Sequence, residues 1–325
     1  MDALTGLLDG PRARGAFLLR SVLDPPWSLG IRDGSPLSLI TMVRGDAFVL
    51  KDGFPPARVG AGDVAVVNGV DPYVVADDPG TAPQVIIHPG QRCEMADGSE
   101  VTLTGQGVRT WGTRPDAPAV MISGTYQMHS EVSRRLLVAL PGLLIRPAEA
   151  GDRTLIDLLV REMTGTEPAQ DLVLDRLLDL VLVSVLRSWL AAAGDDAPAW
   201  QRARTDPVVG PALRLIHDDP AYGWTVASLA ARTGVSRASL ARRFTEVVGE
   251  SPMAYLTGWR ITLAADLLRQ GDATLESVAR RVGYGSAFAL STAFKRERGV
   301  SPQEYRRRPA HAPHPSPLPR VVRLT

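Results

Sequence analysis

The chain has 325 residues and a formal net charge of +1, and this length predicts two domains. Residues 207–325 hold 17 Lys and Arg against 9 Asp and Glu, a net +8, whereas residues 1–206 hold 19 against 26, a net −7. The single cysteine excludes an internal disulfide and favours a reducing compartment, so we expect a cytoplasmic protein. Arg12 and Arg14 argue against a signal peptide, and no uncharged apolar stretch reaches the roughly 18 residues that span a membrane.

The N-terminal part alternates short apolar runs with turn residues. Residues 1–20 predict a helix or an arm, and turns such as Asp52-Gly53 and Asp78-Pro79-Gly80 separate the runs that follow. Many short strands at regular spacing indicate a β-sandwich or barrel. The predicted strands are Leu37–Val43, Ala47–Lys51, Asp63–Val67, Tyr73–Ala76, Val85–His88, Val101–Thr104 and Ala119–Ile122.

Residues suited to metal binding or catalysis are sparse. The five histidines are His88, His129, His217, His311 and His314, and none has the spacing of a metal-binding motif. We therefore predict no metal site, no cofactor and no catalytic residue, and a structural role for each of His88 and His129. Trp27, Tyr73 and Trp111 are candidates to line a pocket, although core positions are favoured for them.

The chain becomes helical after His129. Helices are predicted at Ser133–Ala139, Leu155–Met163 and Gln170–Ala193. The last carries a wide apolar stripe of Leu174, Leu177, Leu178, Val181, Val185 and Leu186, which we expect to pack on the barrel and on a second copy of the chain. Residues 170–193 thus predict a homodimer contact, with packing inside one subunit as the alternative. Residues 194–206 are polar and interrupted by Gly and Pro, which predicts a linker.

Two segments of the C-terminal part are copies of each other. Ala230 and Gly234 match Ala279 and Gly283, and further matches pair Phe244 with Phe294, Gly249 with Gly299, Ser251-Pro252 with Ser301-Pro302 and Tyr255 with Tyr305. Each copy predicts a helix, a glycine turn and a second helix, a pattern typical of DNA-binding modules. The duplication favours this interpretation over a plain helical hairpin with a solvated basic face.

In the first copy, Thr225 is a candidate cap for a helix to Arg232, Gly234 provides a left-handed turn, and Ser236 caps the helix Arg237–Glu246. The outward residues of this helix are Arg237, Ala238, Ser239, Ala241 and Arg242. Arginine can donate two hydrogen bonds to guanine, and small side chains allow a helix to approach the bases. Arg242 and Arg237 are accordingly the main candidates for base or phosphate contact.

In the second copy, Thr274 caps a helix to Arg281, and Ser286 begins a helix that reaches about Glu297. Its outward residues are Ala287, Phe288, Ser291, Thr292 and Lys295, a less charged face. Both Ser236 and Ser286 are expected to cap their helices and to offer a hydrogen bond to phosphate. Ser251-Pro252 begins a connecting helix of about 18 residues, roughly 27 Å long, which is suited to hold two recognition helices about one DNA turn apart.

Residues 207–308 resemble the DNA-binding domain of the AraC/XylS transcriptional regulators. The likeness is carried by Ala279, Gly283-Tyr284, Phe294-Lys295-Arg296, Gly299, Ser301-Pro302 and Tyr305-Arg306. Leu290 stands where Phe is usual and Thr292 where Arg is usual, and the second change weakens the base contacts expected of the second unit. The resemblance assigns base contacts to Arg237, Ala238, Ala241 and Arg242 in the first unit and to Ala287, Phe288 and Thr292 in the second. It also implies double-stranded promoter DNA and RNA polymerase as partners, and activation rather than repression of transcription.

The N-terminal part resembles the cupin barrel that serves as the sensor half of many AraC-type regulators. The resemblance rests on Val43-Arg44-Gly45 and Gly60-Ala61-Gly62-Asp63-Val64, whereas Thr41 and Pro72 occupy positions where metal-binding cupins often carry His. The predicted fold class is α+β with two domains: a cupin-like β-barrel with trailing helices, and an all-α domain with two helix-turn-helix units joined by a long helix. The boundaries are 1–193 for a sensor and dimerisation domain, 194–206 for a linker, 207–308 for the DNA-binding domain and 309–325 for a disordered tail.

These features predict a sequence-specific DNA-binding regulator that responds to a small-molecule effector and is not an enzyme. One alternative is a regulator whose vestigial barrel dimerises and senses nothing. Another is a cupin enzyme with an appended DNA-binding domain, which bound metal would favour. A repair protein that transfers alkyl groups to cysteine would need a reactive thiol, and Cys93, which lies between Arg92 and Glu94, is a poor candidate.

Overall fold

The computed structural model describes residues 17–99, 109–112, 114, 116–126, 131, 137, 138, 140–147, 149–165, 167–192, 199–269, 271 and 273–307. The strands named below lie between Phe17 and Arg146, and the α-helices named below follow from Ala150 onward. This order confirms the predicted α+β class. Predictions for residues 1–16, 101–104 and 309–325, and for most of residues 133–139, lie outside the described residues. No helix within the described ranges is both long and apolar enough to cross a membrane.

The N-terminal strands form two facing sheets. They are β1 (Phe17–Leu23), β2 (Ser28–Ile31), β3 (Leu37–Arg44), β4 (Ala47–Lys51), β5 (Ala57–Val59), β6 (Val64–Asn68), β7 (Tyr73–Ala76), β8 (Val85–Ile87), β9 (Cys93–Met95), β10 (Thr110–Gly112), β11 (Ala119–Tyr126) and β12 (Leu143–Arg146). The described strand order is β10–β1–β11–β3–β6–β12 in the first sheet and β5–β4–β7–β2–β8–β9 in the second. Most neighbouring strands run antiparallel. The interleaved strand order makes the two-sheet sandwich expected of a cupin barrel.

The first sheet is buried on both faces. Ile40 and Met42 of β3 face the second sheet, in a core that also contains Val49 and Tyr73. Leu39, on the other face of the same strand, packs against helices. Residues Leu37 to Met42 are consequently all buried, which explains why the sequence shows a nearly continuous apolar run there instead of alternation.

Two helices, α1 (Ala150–Thr164) and α2 (Gln170–Ala192), cover the outer face of the first sheet. The predicted apolar stripe of α2 faces this sheet, and Leu178 lies so close to it that a Cβ at Gly124 would be 2.6 Å from Leu178 Cδ2. Tyr126 Oη also donates a hydrogen bond of 2.8 Å to the carbonyl oxygen of Leu178. The stripe therefore packs inside one subunit, and a dimer contact through α2 would need a different face of the helix.

Strand β1 corrects the prediction for the start of the chain. Residues 17–20 were expected in a helix or an arm, but Phe17–Leu23 is a strand between β10 and β11. Leu18 packs toward the helices, and Leu19 and Leu23 pack toward the second sheet. Because both faces of this strand are apolar, the run lacks the alternation by which a half-buried strand is recognised.

The C-terminal helices are α3 (Ala199–Thr205), α4 (Val209–Asp218), α5 (Val226–Thr233), α6 (Arg237–Val248), α7 (Pro252–Arg269), α8 (Leu275–Arg281), α9 (Ala287–Arg298) and α10 (Pro302–Arg307). Helix α3 lies in the segment predicted as a linker. Ala203 is fully buried in the core that α4, α5, α6 and the start of α7 form. The linker prediction is therefore wrong for residues 199–205, because Gln201 and Ala203 of this short helix are buried where it packs on α4 and α6. Residues 194–198 lie outside the described residues.

The two repeated units have separate cores that share α7. Leu256 and Trp259 belong to the first core, with Leu240 and Phe244 of α6. Ile261, Ala265 and Leu268 of the same helix belong to the second core, with Leu290 and Phe294 of α9. Helix α7 is 18 residues long, as predicted, and its rigidity therefore sets the separation of α6 and α9.

A second contact joins the two units. Arg260 of α7 donates hydrogen bonds of 2.7 Å to the carbonyl oxygens of Pro220 and Tyr222, which precede α5 in the first unit. Its guanidinium also lies 5.9 Å from the ring centroid of Tyr284, which belongs to the turn of the second unit. Burial lowers the pKa of Arg260, an effect that Tyr284 partly offsets. Gly283 completes the joint, since a Cβ there would lie 2.7 Å from the backbone of Ala221.

The repeated glycines allow a matched test of this joint. Gly234 and Gly283 both have positive φ, +72° and +84°, so replacement by Ala strains the backbone at either position. Space around Gly234 is open, whereas Ala at position 283 also collides with Ala221. We expect Gly283→Ala to lower the free energy of unfolding by about 1–3 kcal/mol more than Gly234→Ala, as overpacking does elsewhere. Urea unfolding of both variants checks this, and equal losses would contradict the proposed close contact.

Candidate nucleic-acid interface

Helix α6 presents the predicted residues of the first unit on one side. Ser236 Oγ accepts a hydrogen bond of 3.1 Å from the Ser239 N–H, which confirms the predicted cap. Leu240 and Phe244 are fully buried on the opposite side. The outward side holds Arg237, Ala238 and Arg242, all exposed, and Ser239 and Ala241, both half-buried. A helix with this surface can lie in a major groove without steric obstruction by large side chains.

Arg242 has an ion-pair partner on its own helix. Its Nη1 lies 2.6 Å from Glu246 Oε1, one turn further along α6. Such exposed pairs contribute little stability, so contact with a base or phosphate can replace this one at small cost. Sequence reasoning did not identify the pair, although Arg and Glu four residues apart on one helix are a signal for it.

Arg243, the neighbour of Arg242, is turned toward α3. Its Nε and Nη2 lie 2.9 and 2.8 Å from Asp206 Oδ2, and Asp206 Oδ1 accepts hydrogen bonds from the N–H groups of Val208 and Val209 at the start of α4. Burial alone would raise the pKa of Asp206, but these hydrogen bonds outweigh it and hold the pKa below its usual range. Sequence reasoning missed this contact, which fastens α6 to α3 and leaves Arg242 as the outward member of the pair.

Helix α9 is the second helix of the second unit and corresponds to α6 in the first. Ser286 Oγ accepts a hydrogen bond of 3.2 Å from the Ala289 N–H, which confirms the second predicted cap. Phe288 is 81% exposed, and Thr292 Oγ1 donates to the Phe288 carbonyl oxygen at 3.1 Å. Lys295 is exposed, and Ala287 and Ser291 are half-buried. Together these residues make a surface with an exposed aromatic ring near the start of the helix and one amine further along it.

A carboxylate lies at the start of α9. Glu276 Oε2 accepts a hydrogen bond of 3.0 Å from the Ala287 N–H, the first residue of the helix. The N-terminus of a helix carries partial positive charge and attracts anions. Glu276 therefore occupies, in the protein without DNA, a position that would suit a phosphate, and sequence reasoning did not identify this residue.

The interior of the barrel is almost filled. Trp27, Tyr73 and Trp111 are all at least nine-tenths buried, as favoured for them. The space between the sheets, beside Ser21 and Thr125, has a volume of only about 20 Å³. That volume suits about one water molecule.

The candidate metal and nucleophile residues have structural surroundings. No group of three or more His, Cys, Asp or Glu side chains suited to a metal ion is found in the described part of the chain. Thr41 donates a hydrogen bond of 2.8 Å to the Asp63 carbonyl oxygen, and His88 Nε2 lies 2.7 Å from Glu94. His217 stacks on Trp259 and lies 2.8 Å from the hydroxyl of Tyr255, while His129, His311 and His314 lie outside the described residues. Burial raises the pKa of the Cys93 thiol, which opposes formation of a reactive thiolate.

Comparisons with known proteins agree with this architecture. A family described as Cupin matches residues 2–191, and a family described as Helix-turn-helix domain matches residues 229–308. A putative AraC-like transcription regulator of Streptomyces lividans is 34% identical over 315 residues, which cover 95% of this chain and 99% of that protein. The HTH-type transcriptional regulator AlkR of Acinetobacter baylyi is 27% identical over 94% of this chain and 99% of its own.

Among solved structures, the DNA-binding domain of AdpA, a global transcriptional factor in complex with a target DNA, is 33% identical. That match covers 31% of this chain and 91% of the AdpA chain, with a TM-score of 0.30. The relatives that match over their full length are regulators of transcription and not enzymes. The chain belongs to the AraC-type family of DNA-binding transcription regulators, with an N-terminal cupin domain and a C-terminal helix-turn-helix domain.

Proposed function

We propose that this regulator binds a specific double-stranded promoter site with α6 and α9 and activates transcription together with RNA polymerase in the bacterial cytoplasm. The observation that carries the proposal is the pair of capped, outward-facing recognition helices on one rigid connecting helix. The proposed DNA contacts are those predicted from the sequence: Ser236, Arg237, Ala238, Ser239, Ala241, Arg242, Ser286, Ala287, Phe288, Ser291, Thr292 and Lys295. Arg242 is assigned to base contact, and the exposed ring of Phe288 to apolar contact with bases.

Recovery of genomic fragments bound to the purified full-length protein, at two salt concentrations, tests the proposal. An enriched asymmetric site with two short elements about one helical turn apart supports it. Binding that depends strongly on salt and ignores sequence would show that the recognition helices do not contact bases, and would contradict it.

Arg242 allows a sharper prediction. Arg242→Ala should weaken binding to the specific site by on the order of 1–3 kcal/mol, because a two-pronged contact with a base is lost. Arg242→Lys should lose nearly as much there, since lysine keeps the charge and lacks the planar donor pair. Fluorescence anisotropy with specific and random DNA measures both variants.

The controls separate base contact from phosphate contact. Glu246→Gln releases Arg242 from its ion pair and removes a negative charge, so it should strengthen binding to both DNAs. If Arg242→Ala weakened both complexes equally and Arg242→Lys restored them, Arg242 would be a phosphate contact and its assignment to a base would be wrong.

We further propose that the protein is a homodimer through α2. The face of α2 that points away from the sheet exposes Leu172, Val173 and Leu180, with exposed fractions of 58%, 40% and 51%. Leu158 of the adjacent α1 is also exposed, at 38%. A second copy of the same helix offers the matching surface, because a two-fold contact uses one patch twice.

Leu180→Glu tests the dimer. A charge on the exposed apolar face should shift the protein to monomers, which sedimentation equilibrium or light scattering measures. Val70→Glu is the matched control, since Val70 is 61% exposed in the loop between β6 and β7, away from α2. A monomeric wild-type protein, or a dimer that persists in Leu180→Glu, would contradict this contact.

The proposed effector needs more room than the barrel interior offers. Small-molecule sites commonly have about 300–1,000 Å³, so the interior of about 20 Å³ is too small to be the effector site. A groove of about 460 Å³ on the outer face of the second sheet, beside Leu50, Phe54 and Val74, has adequate volume. We place the effector in this groove. A thermal-shift screen tests the placement: ligands that stabilise the wild-type protein should no longer stabilise Val74→Trp.

A further inference from the structure

One residue of the N-terminal domain is embedded in the second helix-turn-helix unit. Glu131 lies five residues beyond the end of β11, and its side chain is 4% exposed. Its carboxylate accepts a hydrogen bond of 2.7 Å from Tyr305 Oη and one of 2.9 Å from Arg298 Nη1. Arg269 Nη2 lies 3.8 Å from the same carboxylate. These partners belong to α10, α9 and α7, so a single side chain bridges three of the four helices that surround the second core.

The backbone of Glu131 is held as well. Its N–H donates a hydrogen bond of 2.6 Å to Oδ1 of Asp266, a buried residue of α7. The Arg269 guanidinium lies 4.5 Å from the ring centroid of Tyr305, which orients the hydroxyl that binds Glu131. Burial of a carboxylate without such partners costs desolvation free energy, and the two arginines and the hydroxyl offset that cost. The contact is therefore specific: partial displacement would leave buried charges unpaired.

Strand β11, which precedes Glu131 in the chain, also contacts the interior of the barrel and helix α2. Met121 and Thr125 of β11 border the small interior space of the barrel. Tyr126, the last residue of β11, is hydrogen-bonded to Leu178 of α2. Strand β11 thus borders both the interior space and α2, and Glu131 follows five residues beyond its end.

We propose that Glu131 is a positioning residue that docks the second recognition unit on the N-terminal domain and sets the orientation of the DNA-binding domain. The consequence for DNA rests on the proposed function, whereas the docking itself does not. Loss of the Glu131 charge frees the DNA-binding domain to adopt many orientations. Specific DNA then binds more weakly, because the fraction of molecules in the competent orientation falls.

The docking is tested on the full-length chain with two spin labels. Cys93→Ser removes the native thiol, and Val70→Cys and Arg214→Cys place one exposed label in each domain. Dilution with unlabelled protein restricts the measured distances to one subunit. We expect one narrow distance distribution in the parent and a broadened one in Glu131→Gln. The matched control is Glu297→Gln, which removes the same charge from an exposed pair with Arg296 on α9, and it should leave the distribution narrow.

Arg298→Met breaks the contact from the other domain and gives the answer if Glu131→Gln does not fold. A broad distribution in the parent, or a narrow one that persists in both variants, would overturn the proposal. Anisotropy with the specific site forms the second readout: Glu131→Gln should lose about fivefold or more in affinity relative to the parent, whereas Glu297→Gln should lose none. A broadened distance distribution without loss of affinity would overturn the link to DNA binding. A parent that binds no specific site would refute the proposed function, and the distance distributions alone would then test the docking.

Discussion

The connecting helix α7 is the element on which the DNA-binding domain depends. Trp259 completes the first core, and Ile261, two residues later, enters the second, so neither unit can fold around α7 without positioning the other. Arg260, between them, donates to carbonyl oxygens of the first unit and lies over the ring of Tyr284 in the second. The two recognition helices thereby form one rigid body. Rigidity matters here because contact with bases at two positions requires both helices to enter their grooves at a fixed separation.

A carboxylate contacts each of α6 and α9 in the protein without DNA, one from α6 itself and the other from α8. Glu246 pairs with Arg242 on α6, and Glu276 accepts from the first N–H of α9. These acids stabilise the protein without DNA and oppose its binding, because each would lie close to phosphates. Exposed pairs of this kind are worth little in water. Their effect is therefore a modest lowering of affinity that is shared by specific and nonspecific DNA, because both kinds of complex bring phosphates to these two positions.

The parts that could be predicted from the sequence are those with local causes. The caps Ser236 and Ser286 and the left-handed Gly234 and Gly283 act within a few residues, and the repeat displays them twice. Strand β1 could not be recognised, since a strand buried on both faces loses its alternation. Helix α3 could not be recognised, because the segment is polar in composition and only a small buried side, centred on Ala203, packs on the core. Glu131 had no local signal at all, because its partner Tyr305 is 174 residues away and the contact exists only once both domains are folded.

The arrangement of layers offers a route by which, in the proposed function, a barrel with almost no interior space would influence DNA binding. A signal in such a domain need not be a ligand at the centre of the barrel. The first sheet is held between the second sheet and α2, and β11 at its centre is fixed by Gly124 against Leu178 and by Tyr126 against the same residue. A close-packed strand transmits a displacement to whatever its ends contact, because the interior has no slack to absorb it. Pressure on the outer face of the second sheet, at α2 or at a bound partner would therefore converge on the same strand, and the chain beyond that strand leads to Glu131 and the second recognition unit.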